Sequence, residues 1–172
     1  MTQKDFAAGF RIEPLATNHD RAAFSCGTPE LDRYLQQQAS QDLKRKLAAV
    51  FILTPDGKSI AGFYTLSSHS VRAADLPPEL AKSLPRFPIP TTLLGRMAIA
   101  ESMQGRGLGE FLLLDALHRS LIASRQVASW SVLVDAKLGA RQFYLRHDFS
   151  SFPTDVDRLF LTMKTIEKLF GS

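Results

Sequence analysis

The sequence predicts an α/β (α+β) fold with a mixed central sheet of about six to seven strands and helices on both faces. Three observations carry this. Apolar, partly β-branched runs alternate with stretches of helical spacing, the order that packs helices against a sheet. Two of the runs, Leu47–Thr54 and Ser59–Ser67, are joined by the turn signal Pro55-Asp56-Gly57, so part of the sheet is an antiparallel hairpin. Trp130–Val134 is apolar without alternation, as in a strand buried on both faces. A length of 172 residues fits a single domain, taken as 1–172, large enough to bury a core without covalent staples.

Taken in order, Phe10-Arg11-Ile12 reads as a first strand ended by Pro14. A helix starts at Thr28, a good N-cap residue, with Pro29 at the first helical position and Glu30 at the positive end of the dipole. Leu31, Tyr34, Leu35, Ala39 and Leu43 continue it at helical spacing, and Lys44-Arg45-Lys46 suits its C-terminus. The hairpin follows. Asp75–Pro90 holds five prolines and reads as a stiff connection with a short helix near Glu79–Leu84. Thr91–Ile99 is the next strand, Gly105–Gly109 a loop, and Glu110–Ser124 a strong helix with Leu113, Leu117 and Leu121 along one side. After the Trp130 strand come a short helix, Gly139–His147, a late strand, Arg158–Met163, and a helical end, Thr165–Phe170.

Composition excludes several classes. Hydrophobic residues make up 45% and charged residues 22%, the balance of a folded globular chain rather than a disordered one. One cysteine, Cys26, forms no internal disulfide, which argues against a disulfide scaffold. The first residues hold no apolar signal-peptide core, and no run approaches the roughly 18 apolar residues of a membrane helix. The expectation is a cytoplasmic protein with no membrane partner. The net charge of +4 is compatible with an anionic partner such as a phosphorylated cofactor or a nucleic acid. The four histidines and Cys26 show no metal-ligand spacing, so no metal is expected. Cys26 is either a nucleophile or, with no histidine near it in sequence, a small buried thiol.

The segment Gln104-Gly105-Arg106-Gly107-Leu108-Gly109 lies between an apolar strand and a helix. Glycines let the backbone approach an anion, and the N–H groups at the following helix start point at it. Arg106 adds a side-chain donor. The bland alternative is a loop that merely turns the strand into the helix. No nucleotide P-loop string occurs. The glycine spacing is also not that of a dinucleotide fingerprint, and it begins several residues after the strand. Gln104, Gly107 and Gly109 do match a third pattern, in which Gln or Arg is followed by two residues, Gly, one residue, and Gly or Ala. That is the coenzyme A pyrophosphate pattern of the Gcn5-related N-acetyltransferases (GNAT).

From that loop outward, the chain resembles this superfamily over nearly its whole length. More narrowly, it resembles the acetyltransferase toxins of bacterial toxin–antitoxin pairs. The segments that carry the likeness are Phe24–Gly27 with Leu31-Asp32, Gly62–Leu66, Pro88–Pro90 with Leu94–Ala98, Val134–Ala136 and Ala140–Tyr144. One departure is Asp148-Phe149 where the family has Gly-Phe. An Asp can adopt the left-handed conformation that Gly supplies there.

The resemblance implies a splayed strand pair holding the coenzyme. The backbone of Met97, Ala98 and Ile99 is then expected along the pantetheine arm, with the pyrophosphate on Gln104, Gly105, Arg106, Gly107, Leu108, Gly109 and Glu110. Tyr144 takes the place of the family's general acid. From the residues alone, Tyr144 is equally an amphipathic core edge. No carboxylate stands out as a base, and Glu101, near the loop, is equally a solvated charge. The implied reaction moves acetyl from acetyl-CoA to the α-amine of an aminoacyl-tRNA and blocks translation. Arg72, Arg86 and Arg96 are the expected tRNA-binding residues. Lys44-Arg45-Lys46 is read either as a solvated helix end or as an RNA-phosphate contact. A ribbon-helix-helix antitoxin and a homodimer are the implied partners. The alternatives are an acetyltransferase for a small amine or a protein N-terminus, and a non-catalytic acyl-CoA-binding module.

Overall fold

In the computed structural model, which describes residues 8–136 and 139–171, the hairpin predicted around Pro55-Asp56-Gly57 is the start of the sheet. Strands β2 (Ala49–Thr54) and β3 (Gly62–Val71) pair antiparallel from Ala49↔Leu66 to Leu53↔Gly62. The turn is built by Asp56, whose carboxylate accepts from the N–H groups of Lys58 and Ser59, and by Gly57 at φ +81°. Strand β1 (Arg11–Pro14) pairs antiparallel along β2. The remaining strands are β4 (Ile89–Ile99), β5 (Ser131–Asp135), β6 (Ser150–Phe152) and β7 (Asp155–Thr162). The seven strands run in the order β1-β2-β3-β4-β5-β7-β6, and β4–β5 is a parallel pair. The helices are α1 (Pro29–Gln37), α2 (Ala39–Lys44), α3 (Pro78–Ala81), α4 (Leu108–Ser124), α5 (Arg141–Arg146) and α6 (Met163–Leu169). The first seven residues of the amino-terminal reading lie outside the described residues.

The chain packs as two compact units. The first runs to Ser67 and takes in Arg96–Ala116. Its core joins Leu35 and Ala39 of the helices to Val50, Ile52, Phe63 and Ala98 of the strands. Alternate strand residues face opposite sides of a sheet. Phe63 accordingly meets the rings of Phe24 and Tyr34, while its neighbour Tyr64 donates its hydroxyl proton to Asp115 on α4. Helices therefore cover both faces here. The second unit takes in Ser68–Gly95 and the chain from Leu117 onward. Its core gathers Val71, Leu76, Ile89, Leu133, Phe152 and Phe160. Strands β3 and β4 and helix α4 contribute residues to both units.

Three local expectations needed correction. The helix from Thr28 is two helices, with Gln38 at φ −122° between them and neither Gly nor Pro to signal it. Thr28 makes no side-chain cap; its carbonyl accepts from the N–H groups of Leu31 and Asp32 instead. Pro29 removes one of the donors a cap would serve, and Asp32 turns back to accept from the N–H of Cys26 at 2.8 Å. The late strand is a hairpin of β6 and β7, and three-residue β6 was too short to show as a periodic run.

Candidate active site

Strand β4 leads into a 3-10 turn, Glu101–Met103, then the glycine loop, then α4, which begins at Leu108 rather than Glu110. Gly105 (φ +80°) and Gly107 (φ +78°) are both left-handed, a conformation that costs an L side chain roughly 1–2 kcal/mol. A Cβ at Gly105 would meet nothing within 4 Å, so the loop backbone lies open to a ligand. The helix ladder starts with the Phe111 N–H donating to Gly107 C=O. The opening of this 17-residue helix therefore carries the partial positive charge that suits a pyrophosphate. These residues fit the coenzyme.

The Gln104 side chain anchors the loop. Its Nε2 donates to the carbonyls of Cys26 and Ile99, both at 3.0 Å, tying the loop to the end of β4 and to the chain before α1. Glu101 works beside it: its N–H donates to Ser25 C=O at 2.8 Å, and its carboxylate accepts from Ser25 Oγ at 3.4 Å. Glu101 is thus a brace for this corner. Arg106 is exposed, 3.1 Å from Met103 Sδ, with its guanidinium above the Phe10 ring.

Met97, Ala98 and Ile99 form the end of β4. The parallel pairing of β4 with β5 runs from Thr92↔Val132 to Leu94↔Val134, and β4 continues beyond it to Ile99. On its other side β4 is held closely by Gly62. A Cβ there would come 2.8 Å from Ala98 O and 2.8 Å from Ile99 Cδ1, so only glycine permits this approach.

Tyr144 lies in the second unit, on α5. It is 6% exposed, edge-on to the rings of Phe143 and Phe149 at 5.2 and 5.3 Å. Burial pushes its phenol above the usual tyrosine range, so it is a neutral proton donor across the physiological range. Among the described residues no acceptor takes its hydroxyl hydrogen. After the helix, Asp148 sits at φ +69°, the left-handed conformation expected from its place in the family's Gly-Phe pair.

Cys26, His19, His69 and His118 have structural partners. Cys26 is buried, and its thiol is pushed up to about 11, first by burial and then by Asp32, so it carries little thiolate at neutral pH. His19 is buried, bonded to the Ala16 N–H and to Glu13 Oε1. His69 Nε2 accepts from Arg158, and the His118 ring lies tilted against Phe170, 5.0 Å between centres. Among the described residues no group of three His, Cys, Asp or Glu side chains can hold a metal.

The three predicted substrate arginines are not equivalent. Arg72 is exposed and bonded to Asp75 at 3.3 and 3.4 Å. Arg86 is exposed on the proline-rich connection. Arg96 is half-buried in the first unit, its guanidinium 3.6 Å above the centre of the Tyr34 ring. Beside it is a cleft of about 330 Å³ lined by Glu30, Arg33, Tyr34, Gln37, Gln38 and Arg96. Sequence reasoning took Tyr34 only as a helix-face apolar residue. The aromatic–arginine partnership spans 62 positions in the chain and leaves no local signal.

A mixed sheet with a parallel β4–β5 pair, and a left-handed glycine loop that leads from β4 into a long helix, is the arrangement of the acyl-CoA-dependent transferases. The acetyltransferase (GNAT) domain family matches residues 27–163, and the chain belongs to that family. It is an acetyl-CoA-dependent N-acetyltransferase by class. It is similar to the tRNA-acetylating toxin of Mycobacterium tuberculosis (strain ATCC 25618 / H37Rv), 39% identical over 153 residues covering 88% of this chain and 91% of the relative. Among solved structures it resembles AtaT complexed with acetyl-methionyl-tRNAfMet, with TM-score 0.87 and 30% identity over 94% of this chain and 99% of that one. It also resembles a tyrosine-to-phenylalanine mutant of AtaT bound to acetyl-CoA and the C-terminus of the antitoxin AtaR. There the TM-score is 0.81, with 28% identity over 95% and 99% of the two chains.

Proposed function

We propose that this protein is a toxin that transfers acetyl from acetyl-CoA to the α-amine of an aminoacyl-tRNA and so removes it from translation. The open, left-handed loop at the head of α4 carries the coenzyme half of this reading. The substrate half is supported by relatives whose names and complexes specify tRNA acetylation. Acetyl-CoA supplies a thioester whose acetyl group passes to the amine and whose thiolate leaves. The N–H groups opening α4, with Arg106, bind the pyrophosphate, and Gln104 holds the loop in shape. The backbone of Met97, Ala98 and Ile99 flanks the pantetheine arm, and an N–H of β4 donates to the carbonyl oxygen as charge develops on it. Tyr144 donates its proton to the departing sulfur, and the proton that the amine sheds on becoming an amide restores the phenol by way of solvent.

No carboxylate is needed as a base. An aminoacyl ester has a more acidic α-ammonium than a lysine at about 10.4, so much of it is already the neutral nucleophile near pH 7. The whole chain, 1–172, is read as one domain. The antitoxin-bound relative supports an antitoxin partner, here of ribbon-helix-helix type. A homodimer and a cytoplasmic location complete the reading. Among the described residues no helix is long and apolar enough to cross a membrane.

Radiolabelled acetyl-CoA offered with charged or deacylated total tRNA tests the reading. Label is expected on charged tRNA alone, and nuclease digestion should release an N-acetyl-aminoacyl adenosine. Equal label on deacylated tRNA, or label only on added polyamines or peptides, would replace it with the small-amine or protein N-terminus alternative.

A further inference from the structure

Asp42, Tyr34 and Arg96 form a stack within the first unit. Asp42 is 9% exposed and accepts from the Tyr34 hydroxyl at 2.9 Å. Tyr34 is 6% exposed, and its other neighbour is the stacked ring of Phe63, so its plane is fixed. The guanidinium carbon of Arg96 lies over that ring, 3.6 Å from its centre. Burial first, and then the Asp42 carboxylate, push the Tyr34 phenol up to about 12, so it remains a neutral donor to Asp42. Arg96 makes no ion pair among the described residues, although Glu30 lines the same cleft.

A guanidinium over an aromatic ring with no ion pair among the described residues keeps N–H donors for another group, and its fork matches the oxygens of a phosphate. Arg33, Gln37 and Gln38 add one more positive charge and two amides around the same space. A volume of about 330 Å³ is at the small end of the range for ligand pockets, about 300–1,000 Å³. Arg96 is also the residue before Met97 on β4, so the cleft adjoins the strand segment assigned to the pantetheine arm. An aminoacyl ester has no free carboxylate, and the anions nearest its amine are the phosphates of the terminal nucleotides.

Resting on the function proposed above, we infer that this cleft is a phosphate subsite for the acceptor end of the aminoacyl-tRNA. Arg96 makes the contact, and Tyr34 and Asp42 are positioning residues that orient it. Arg72, committed to Asp75, and Arg86, on an exposed connection, contribute only general attraction.

The test measures steady-state acetylation of charged tRNA by the full chain across a salt series, with acetyl-CoA affinity by calorimetry as the check on folding. Arg96→Gln should raise the KM for charged tRNA about tenfold or more, as for loss of a charge-assisted hydrogen bond, with kcat and acetyl-CoA affinity unchanged. The slope of log KM against log salt should shrink by about one. Arg96→Lys keeps the charge but not the stacked fork and should restore the salt slope without restoring KM. Tyr34→Phe keeps the ring and loses the tie to Asp42, so it should raise KM less than Tyr34→Leu. In the Arg96→Gln background, either Tyr34 change should add almost nothing. If Tyr34→Leu does not fold, the Tyr34→Phe and Arg96→Gln cycle decides the point. Fully additive effects would reduce Tyr34 to packing and overturn the positioning role. An unchanged KM and salt slope in Arg96→Gln, with wild-type protein active on charged tRNA, would overturn the subsite alone. Wild-type protein inactive on charged tRNA would instead overturn the function on which the subsite rests.

Discussion

As the proposed general acid, Tyr144 would have to keep its proton until a thiolate forms and to be held still. Burial between Phe143 and Phe149 serves both, because desolvation disfavours the phenolate and the rings fix the side chain. Tyr144→Phe is expected to retain acetyl-CoA binding and to lose about 10²–10⁴-fold in single-turnover rate, the usual worth of general acid catalysis. A wild-type rate would assign the ring to packing. The sign of the pH dependence follows from the same shift. A phenol raised above its usual value of about 10 stays protonated through that pH, so kcat/KM should rise as the substrate amine loses its proton and then stay level to about pH 10. A falling limb near pH 8 or 9 would show a different acid. At the other half of the site, Gly107→Asp places a negative side chain at φ +78°, where the pyrophosphate is to approach the backbone. Calorimetry on the folded variant should show no acetyl-CoA binding.

At the scale of elements, several helix ends are closed by residues other than those local rules favour. Helix α2 ends in a two-bond C-terminal cap: Lys46 N–H donates to Leu43 C=O, and Leu47 N–H to Asp42 C=O. This places Lys46 at φ +62°. The basic run Lys44-Arg45-Lys46 is thus a helix end, and the same cap holds the Asp42 that anchors Tyr34. Asp148 closes α5 with an equal lack of a glycine, its N–H donating to Leu145 C=O. Asp148→Gly should stabilise the protein by up to about 1 kcal/mol by relieving the left-handed conformation, a rise of about 2–4 °C in Tm for a chain of this size. Thermal unfolding with a lowered Tm would mean that the Asp148 side chain holds something the backbone geometry does not reveal.

Over the whole molecule, the excess of positive charge acts as attraction for an anionic substrate rather than as recognition. Activity at subsaturating charged tRNA should fall steeply between about 50 and 200 mM salt, as counterion release requires. Acetyl-CoA affinity should respond far less. The combined Arg72→Gln and Arg86→Gln variant should flatten this salt dependence modestly. A salt response equal for both substrates would show that charge acts on folding or on the coenzyme and not on tRNA.

Much of the architecture was legible because it is written in short-range patterns. The hairpin around Asp56-Gly57, the apolar β5 strand, the leucine side of α4 and the spacing of Gln104, Gly107 and Gly109 each depend on residues a few positions apart. Their physics is local: turn preferences, side-chain periodicity and the backbone freedom of glycine. The left-handed Asp148 was legible through the family resemblance instead, because it stands where the family has a glycine. The tertiary structure alone decided what depends on distant partners. It assigned Gln104 to the carbonyls of Cys26 and Ile99 and made Glu101 a brace for Ser25. It broke the first helix at Gln38, paired the three-residue β6 with β7, and laid Arg96 on Tyr34 with Asp42 behind it. A side chain's role there is set by which group folding brings within a few ångströms of it, and chain separation carries no trace of that choice.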